Sequence, residues 1–243
     1  MGGGAFRSAR REGQAQMSKG VLSPGEMLGR FEVEDVLGRG GMGVVYKVRD
    51  TRTKLPYAAK ILNSELVERK DFVKRFKTEA KTASRLTHMN VVHAYKLRRR
   101  EGTLYYIMEY VEGRVLDEIL KKDGKYPLDR AIVILRDTAA ALEYVHSKRY
   151  VHRDIKPGNI LVRPDDHVKV IDFGLAQKCG KIQRTKSGHV MCTAKYMAPE
   201  LIEGCEVFAE TDIYALGCMT YELISGKPPF DGDDAGLLTD MHL

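Results

Sequence analysis

The stretch Val151–Val162, VHRDIKPGNILV, sets five charged or polar side chains (His152, Arg153, Asp154, Lys156, Asn159) directly against an apolar run. A solvated loop has no need of NILV, and a core strand does not tolerate HRDIK. The polar groups are therefore held in place for a purpose, with the strand as their support. Downstream, NILVRPDDHVKVID reads as two apolar strands around a PDD turn, a hairpin. Asn159 stands just before the first strand and Asp172 is read as ending the second, so antiparallel pairing sets the two side by side. A carboxylate and an amide oxygen suit Mg²⁺, which takes few protein ligands and keeps waters and phosphate oxygens. Asp154 is then a nearby carboxylate able to accept a hydroxyl proton. Lys156 is a cation able to neutralise charge on a moving phosphoryl group.

Upstream, RFEVEDVL, the glycine-rich GRGGMG and the β-branched VVYKV read as a hairpin, and PYAAKIL as a third strand. RKDFVKRFKTEAKTASRL carries Phe72, Phe76, Ala83 and Leu86 at a helical period. NVVHAYKL and TLYYIMEYV read as further strands. Beyond about residue 110 the character changes. LDRAIVILRDTAAALEYVHSKR reads as a long amphipathic helix with Ile132, Leu135, Ala139, Leu142 and Val145 inward, and TDIYALGCMTYELIS, apolar nearly all round, as a buried one. The expected organisation is a basic tail over 1–28, a small antiparallel sheet lobe with one helix over 29–111, and a mainly helical lobe over 112–243. The class is α+β.

Gly38, Gly40 and Gly43 fit GxGxxG. A dinucleotide-binding turn needs a helix next, and VVYKV favours a strand instead. No GxxxxGK[ST] occurs. The glycines are either a plain hairpin turn or a flap whose backbone N–H groups lie over phosphates. Lys60 shares a strand face with Ala58 and Leu62, while Glu79 lies on the apolar stripe of its helix. Two charges aimed at buried surroundings are expected to pair. Such a pair is either a structural salt bridge or a device that presents an amine to phosphate oxygens.

The 243 residues carry a net charge of +7, too little by itself to argue for nucleic acid, even with KLRRR at 96–100. Four cysteines show no CxxC spacing, so neither a zinc site nor a disulfide framework is expected. No apolar run has membrane-spanning length. The N-terminus lacks a signal-peptide core, and Phe6 stands where a myristoylation pattern needs Ser or Thr.

In order along the chain, Gly38-x-Gly40-x-x-Gly43-x-Val45, YAAK ending at Lys60, Glu79, HRDIKPGN, DFG at 172–174, APE at 198–200 and DIYALG with Asp212 resemble the protein kinase family over residues 30–243. The resemblance implies ATP and Mg²⁺ as cofactors and protein substrates with Ser or Thr acceptors. It makes Asp154 the base, Asn159 and Asp172 the metal ligands, and Lys60, partnered by Glu79, the holder of the α/β-phosphates. Glu109 and Val111 would present hinge backbone groups to adenine beside Met108, with Leu37, Val45, Ala58 and Leu161 sandwiching the base. Lys156 and Thr193 look like the Ser/Thr class, and the motifs look most like bacterial members.

Leu175–Met197 holds Lys178, Lys181, Arg184, Lys186 and Lys195 and no acidic residue. A phosphate on Thr185 or Ser187 would supply roughly −1.5 to −2 charge and could tie this segment to Arg153. Autophosphorylation there, through self-association, is the expectation. Two departures stand against the family pattern. Cys192 replaces a usual Gly, and the helices expected after residue 243, including an Arg partner for Glu200, are absent from this sequence. An alternative reading is therefore a nucleotide-binding regulatory module with little catalysis. A cytoplasmic kinase domain is expected, with any membrane anchor in a segment not present here.

Overall fold

The computed structural model describes residues 21–100, 102–179 and 194–243. Their elements divide into two compact units, one of residues up to Val73 with Leu97–Ile107, the other of Lys74–Lys96 with Met108–Leu243. Arg184, Lys181, Lys186, Thr185, Ser187, Cys192, Thr193 and most of the basic tail lie outside the described residues.

An antiparallel sheet runs through β1 (Met27–Leu28), β2 (Phe31–Gly40), β3 (Gly43–Asp50), β4 (Pro56–Leu62), β5 (Ala94–Arg100) and β6 (Thr103–Glu109), in the spatial order β1-β2-β3-β4-β6-β5. Alternation drives it. Phe31 and Val33 of β2, Tyr46 and Val48 of β3 and Ala59 of β4 point to one face and pack with Tyr105 and Ile107 as one core. Two register shifts, between Val33 and Asp35 and between Val36 and Gly38, bend β2 as it approaches the glycine turn. The segment expected to begin a strand at Asn90 enters β5 only at Ala94. Its first residues make a separate bridge, Val91 beside Val170.

Helix α1 (Lys70–Ala83) buries Phe76, Glu79, Ala80, Thr82 and Ala83. Past it come β7 (Arg114–Val115), α2 (Leu116–Asp123) and α3 (Leu128–Ser147). The stripe of α3 differs from the sequence reading. Ile132 and Ala139 face solvent, while Ala131, Ile134, Asp137, Thr138, Ala141, Leu142 and Val145 are buried. Two polar residues replace apolar ones on the inner face because each is satisfied there. Asp137 takes hydrogen bonds from His167 at 2.7 Å and the Val168 N–H at 3.3 Å, and the Thr138 hydroxyl donates to the Ile134 carbonyl at 2.7 Å.

After α3 come β8 (Tyr150–Val151), a single 3-10 turn (Pro157–Asn159), β9 (Ile160–Val162), β10 (Val168–Val170) and β11 (Gln177–Lys178). The expected hairpin is present, with Val162 opposite Val168 and Ile160 opposite Val170. Asp172 does not end its second strand. It lies two residues past Val170, and Ile171 is the residue joined to Asn159. A 3-10 turn (Ala194–Tyr196), α4 (Pro199–Glu203), α5 (Ala209–Ser225) and α6 (Ala235–His242) complete the chain. Helix α5 is not buried all round. It buries Thr211, Asp212, Ala215, Cys218, Met219 and Leu223, and exposes Ile213, Tyr221 and Ile224. These elements give the α+β architecture expected, a curled antiparallel sheet and a mainly helical part.

Candidate active site

Asp212 organises the loop that follows β8. It is fully buried in the first turn of α5. Its Oδ2 accepts the His152 N–H at 2.8 Å and lies 2.7 Å from His146 Nε2, and its Oδ1 accepts the Arg153 N–H at 2.7 Å. One carboxylate thus satisfies two consecutive backbone donors of the chain entering HRDIK. Arg153 adopts φ 70°, a conformation that costs a side-chain-bearing residue of order 1–3 kcal/mol and that needs such anchoring.

That turn aims Asp154. Its Oδ2 accepts from Lys156 Nζ at 2.8 Å and from Asn159 Nδ2 at 2.9 Å, and Asn159 Nδ2 also donates to the Asp154 carbonyl at 2.7 Å. The buried Ile155 and Pro157 fix the backbone between them. The Asn159 carbonyl accepts the Ile171 N–H at 2.9 Å, which draws the residues after β10 alongside. Asp172 follows, exposed, at φ 62°, with its Oδ1 accepting the Gly174 N–H at 3.0 Å. Phe173 is buried edge-on against the His152 ring, with centroids 4.8 Å apart. Beyond it, β11 pairs with β8. The donor set fits a hard divalent cation. The Asn159 amide nitrogen is committed to Asp154, which turns its oxygen to other use, and Asp172 offers an exposed carboxylate.

In the same unit, Met108, Glu109, Val111 and Leu161 are each half-buried. Gly113 approaches the hairpin so closely that an added Cβ would stand 2.4 Å from the Val162 carbonyl oxygen. Glu79, buried on α1, also belongs to this unit, whereas Leu37, the turn glycines, Val45, Ala58 and Lys60 belong to the sheet unit. Lys60 is buried between Ala58 and Leu62, and Leu37, Gly38 and Gly40 are exposed. The glycines differ in kind. A Cβ on Gly43 would come 2.0 Å from the Ile61 carbonyl oxygen, so that glycine serves strand pairing. A Cβ on Gly38 would meet nothing within 4 Å, and one on Gly40 only the Gly43 oxygen at 3.9 Å. Neither has the positive φ that would demand glycine.

Sequence reasoning brought Asp154, Lys156 and Asn159 together correctly. It named Asp212 without giving it a task and missed His152 and Phe173 as supports. One signal was available, an acid inside an otherwise apolar helix face. Further along, the Tyr196 hydroxyl donates to Glu222 at 2.5 Å, and burial raises both above their ordinary values. Glu200, whose family arginine partner is absent from this sequence, accepts the Thr211 hydroxyl at 2.5 Å.

The family model described as protein kinase domain matches residues 31–241. Among curated relatives, the serine/threonine-protein kinase PknA of Mycobacterium tuberculosis is 39% identical over 220 residues, 88% of this chain and 51% of its own length. The serine/threonine-protein kinase PknB of Mycobacterium leprae is 38% identical over 92% of this chain and 37% of its own length. PknH of Mycobacterium bovis, also named a serine/threonine-protein kinase, is 38% identical over 90% and 37%. The chain thus spans about half the length of the first of these relatives, and less of the others. Among the described residues no helix is long and apolar enough to cross a membrane.

Proposed function

The chain belongs to the protein kinase family, and from that premise we propose that it transfers the γ-phosphoryl group of ATP to serine or threonine hydroxyls of proteins. The observation that carries this reading is the Asp154–Lys156–Asn159 cluster, braced from below by Asp212. Asp154 accepts the proton of the acceptor hydroxyl as its oxygen attacks phosphorus. Its carboxylate is orientated by Asn159 and by Lys156, and Lys156 is also placed to offset charge on the phosphoryl group in flight. Asn159 and Asp172 would hold Mg²⁺, which would supply positive charge against the charge developing on the phosphates. Lys60 would meet the α/β-phosphates. Gly38 and Gly40 leave room for a polyphosphate to come against the backbone. Glu109 and Val111 present backbone groups to adenine beside Met108, with Leu37, Val45, Ala58 and Leu161 as its apolar contacts. Thr193 as a further catalytic residue beside Asp154 and Lys156, and Thr185 or Ser187 as the phosphate-accepting switch tied to Arg153, complete the reading.

The test is incubation with Mg²⁺-ATP beside the Asp154→Asn variant, followed by intact-mass and peptide mass spectrometry. Phosphate on the parent protein and none on the variant is the expected result, with Thr185 or Ser187 among the modified sites. Equal phosphate on both would remove Asp154 from its role. No phosphate on either, with no thermal stabilisation by Mg²⁺-ATP, would overturn the reading, since a ligand that binds only the folded state must stabilise it.

A further inference from the structure

Lys169 is an anomaly in an apolar hairpin. It occupies the centre of β10 with Val168 and Val170 buried on either side, and its side chain is only 15% exposed. Its register partner across the hairpin is Leu161. Directly paired residues of antiparallel strands share a face, so the ammonium rises from the same surface as the residue proposed to lie under adenine. A lysine so shielded needs a partner. It has one in Glu109, whose Oε1 lies 2.6 Å from Nζ. A second, longer contact runs from Nζ to the Val91 carbonyl at 3.4 Å.

Glu109 is held at more than its carboxylate. The same Oε1 accepts the His93 N–H at 2.9 Å, and the Glu109 N–H donates to the His93 carbonyl at 3.0 Å. The segment that carries His93 is itself bound to β10. The Val92 N–H donates to the Val170 carbonyl at 3.0 Å, the Val170 N–H to the Asn90 carbonyl at 2.8 Å, and Asn90 Nδ2 to the Val168 carbonyl at 2.9 Å. Glu109, residues 90–93 and the β9–β10 hairpin therefore form one hydrogen-bonded frame, and the Lys169–Glu109 ion pair ties the hairpin to Glu109 within it.

We propose that Lys169 is a positioning residue for nucleotide recognition. By gripping the Glu109 carboxylate it fixes the peptide whose carbonyl reads the 6-amino group of adenine, and it sets that peptide at a constant distance from the hairpin that carries Asn159 toward the metal. Lys169 touches neither nucleotide nor metal in this account. Its effect passes through Glu109. The inference rests on the kinase reading above and assigns a residue that reading does not use.

The test compares the parent protein with Lys169→Met and Lys169→Arg, using ATP and inosine triphosphate, which carries a carbonyl where ATP carries the 6-amino group. Dissociation constants come from calorimetry and KM and kcat from phosphate transfer. Lys169→Met is expected to weaken ATP about fivefold, a fraction of one charged hydrogen bond, with kcat within about twofold of the parent. The preference for ATP over inosine triphosphate shrinks by a similar factor, and Lys169→Arg recovers most of it. A purely structural role would lower thermal stability and weaken both nucleotides alike, leaving their ratio intact. That outcome, or an unchanged ATP affinity in Lys169→Met, overturns the proposal while the kinase reading stands. A parent protein that binds neither nucleotide overturns both.

Discussion

Two sets of carboxylates lie within a few residues of one another in the fold and do opposite work. Asp212 is sealed, with both oxygens taken by the His152 and Arg153 N–H groups and by His146. Asp172 is exposed, and Asp154 holds a half-buried carboxylate between a lysine and an amide. A buried carboxylate in low dielectric is tolerated only when its lone pairs are filled, and once filled it is a brace with no capacity left for a ligand. Asp172 and Asp154 are less enclosed than Asp212, so a cation or a hydroxyl can compete for them. The contrast separates the residues that shape the site from those that carry out chemistry.

The sharpest way to break the contrast is Asp212→Ala. It leaves two buried backbone N–H groups without an acceptor and releases the strained φ of Arg153. A loss of about 3 kcal/mol or more is expected, read as a large fall in Tm, with activity lost in step. Asp154→Asn should behave in the opposite way. Asparagine keeps an oxygen for Lys156 and Asn159, so Tm moves little, while phosphate transfer falls about 100- to 10,000-fold, the usual worth of a general base. A Tm fall in Asp154→Asn as large as that in Asp212→Ala would erase the distinction.

The same contrast explains what could be read from the sequence. The β9–β10 hairpin was legible because Val, Ile and Leu alternate around a PDD turn, and period 2 with turn chemistry is local information. The ordered motifs placed Asp154, Lys156 and Asn159 for the same reason. Asp212 is 58 residues along the chain from Asp154, and its partners are backbone groups, which leave no trace in side-chain pattern. The inner face of α3 was misread for a related cause. Asp137 and Thr138 are buried because of hydrogen bonds to His167, Val168 and Ile134, so an apolar count passed over them and took Ile132 and Ala139 instead. Glu109 was read only for its backbone, and its pairing with Lys169 escaped notice because 60 residues separate the two.

The glycine turn offers a smaller version of the comparison, within one motif. Gly43→Ala forces a Cβ to 2.0 Å from the Ile61 carbonyl oxygen, between paired strands that have no slack. A loss of about 1–3 kcal/mol is expected, the ordinary cost of overpacking, and thermal denaturation without nucleotide would show it.

Gly40→Ala is expected to do almost nothing to that measurement. Its Cβ would meet only the Gly43 oxygen at 3.9 Å, ordinary contact, and its backbone φ is not in the left-handed region. Whatever glycine provides at position 40 must then appear when something else approaches the backbone. If that is the polyphosphate, the added methyl stands off its oxygens, and KM for ATP rises by roughly two- to fivefold while Tm without nucleotide stays level. The measurement is the pair of quantities on one variant, since each alone has another explanation. A lower Tm with unchanged KM would return Gly40 to the role of a hairpin turn. An unchanged pair would detach it from the nucleotide altogether, and the flap would then rest on Gly38, where an added Cβ also meets nothing.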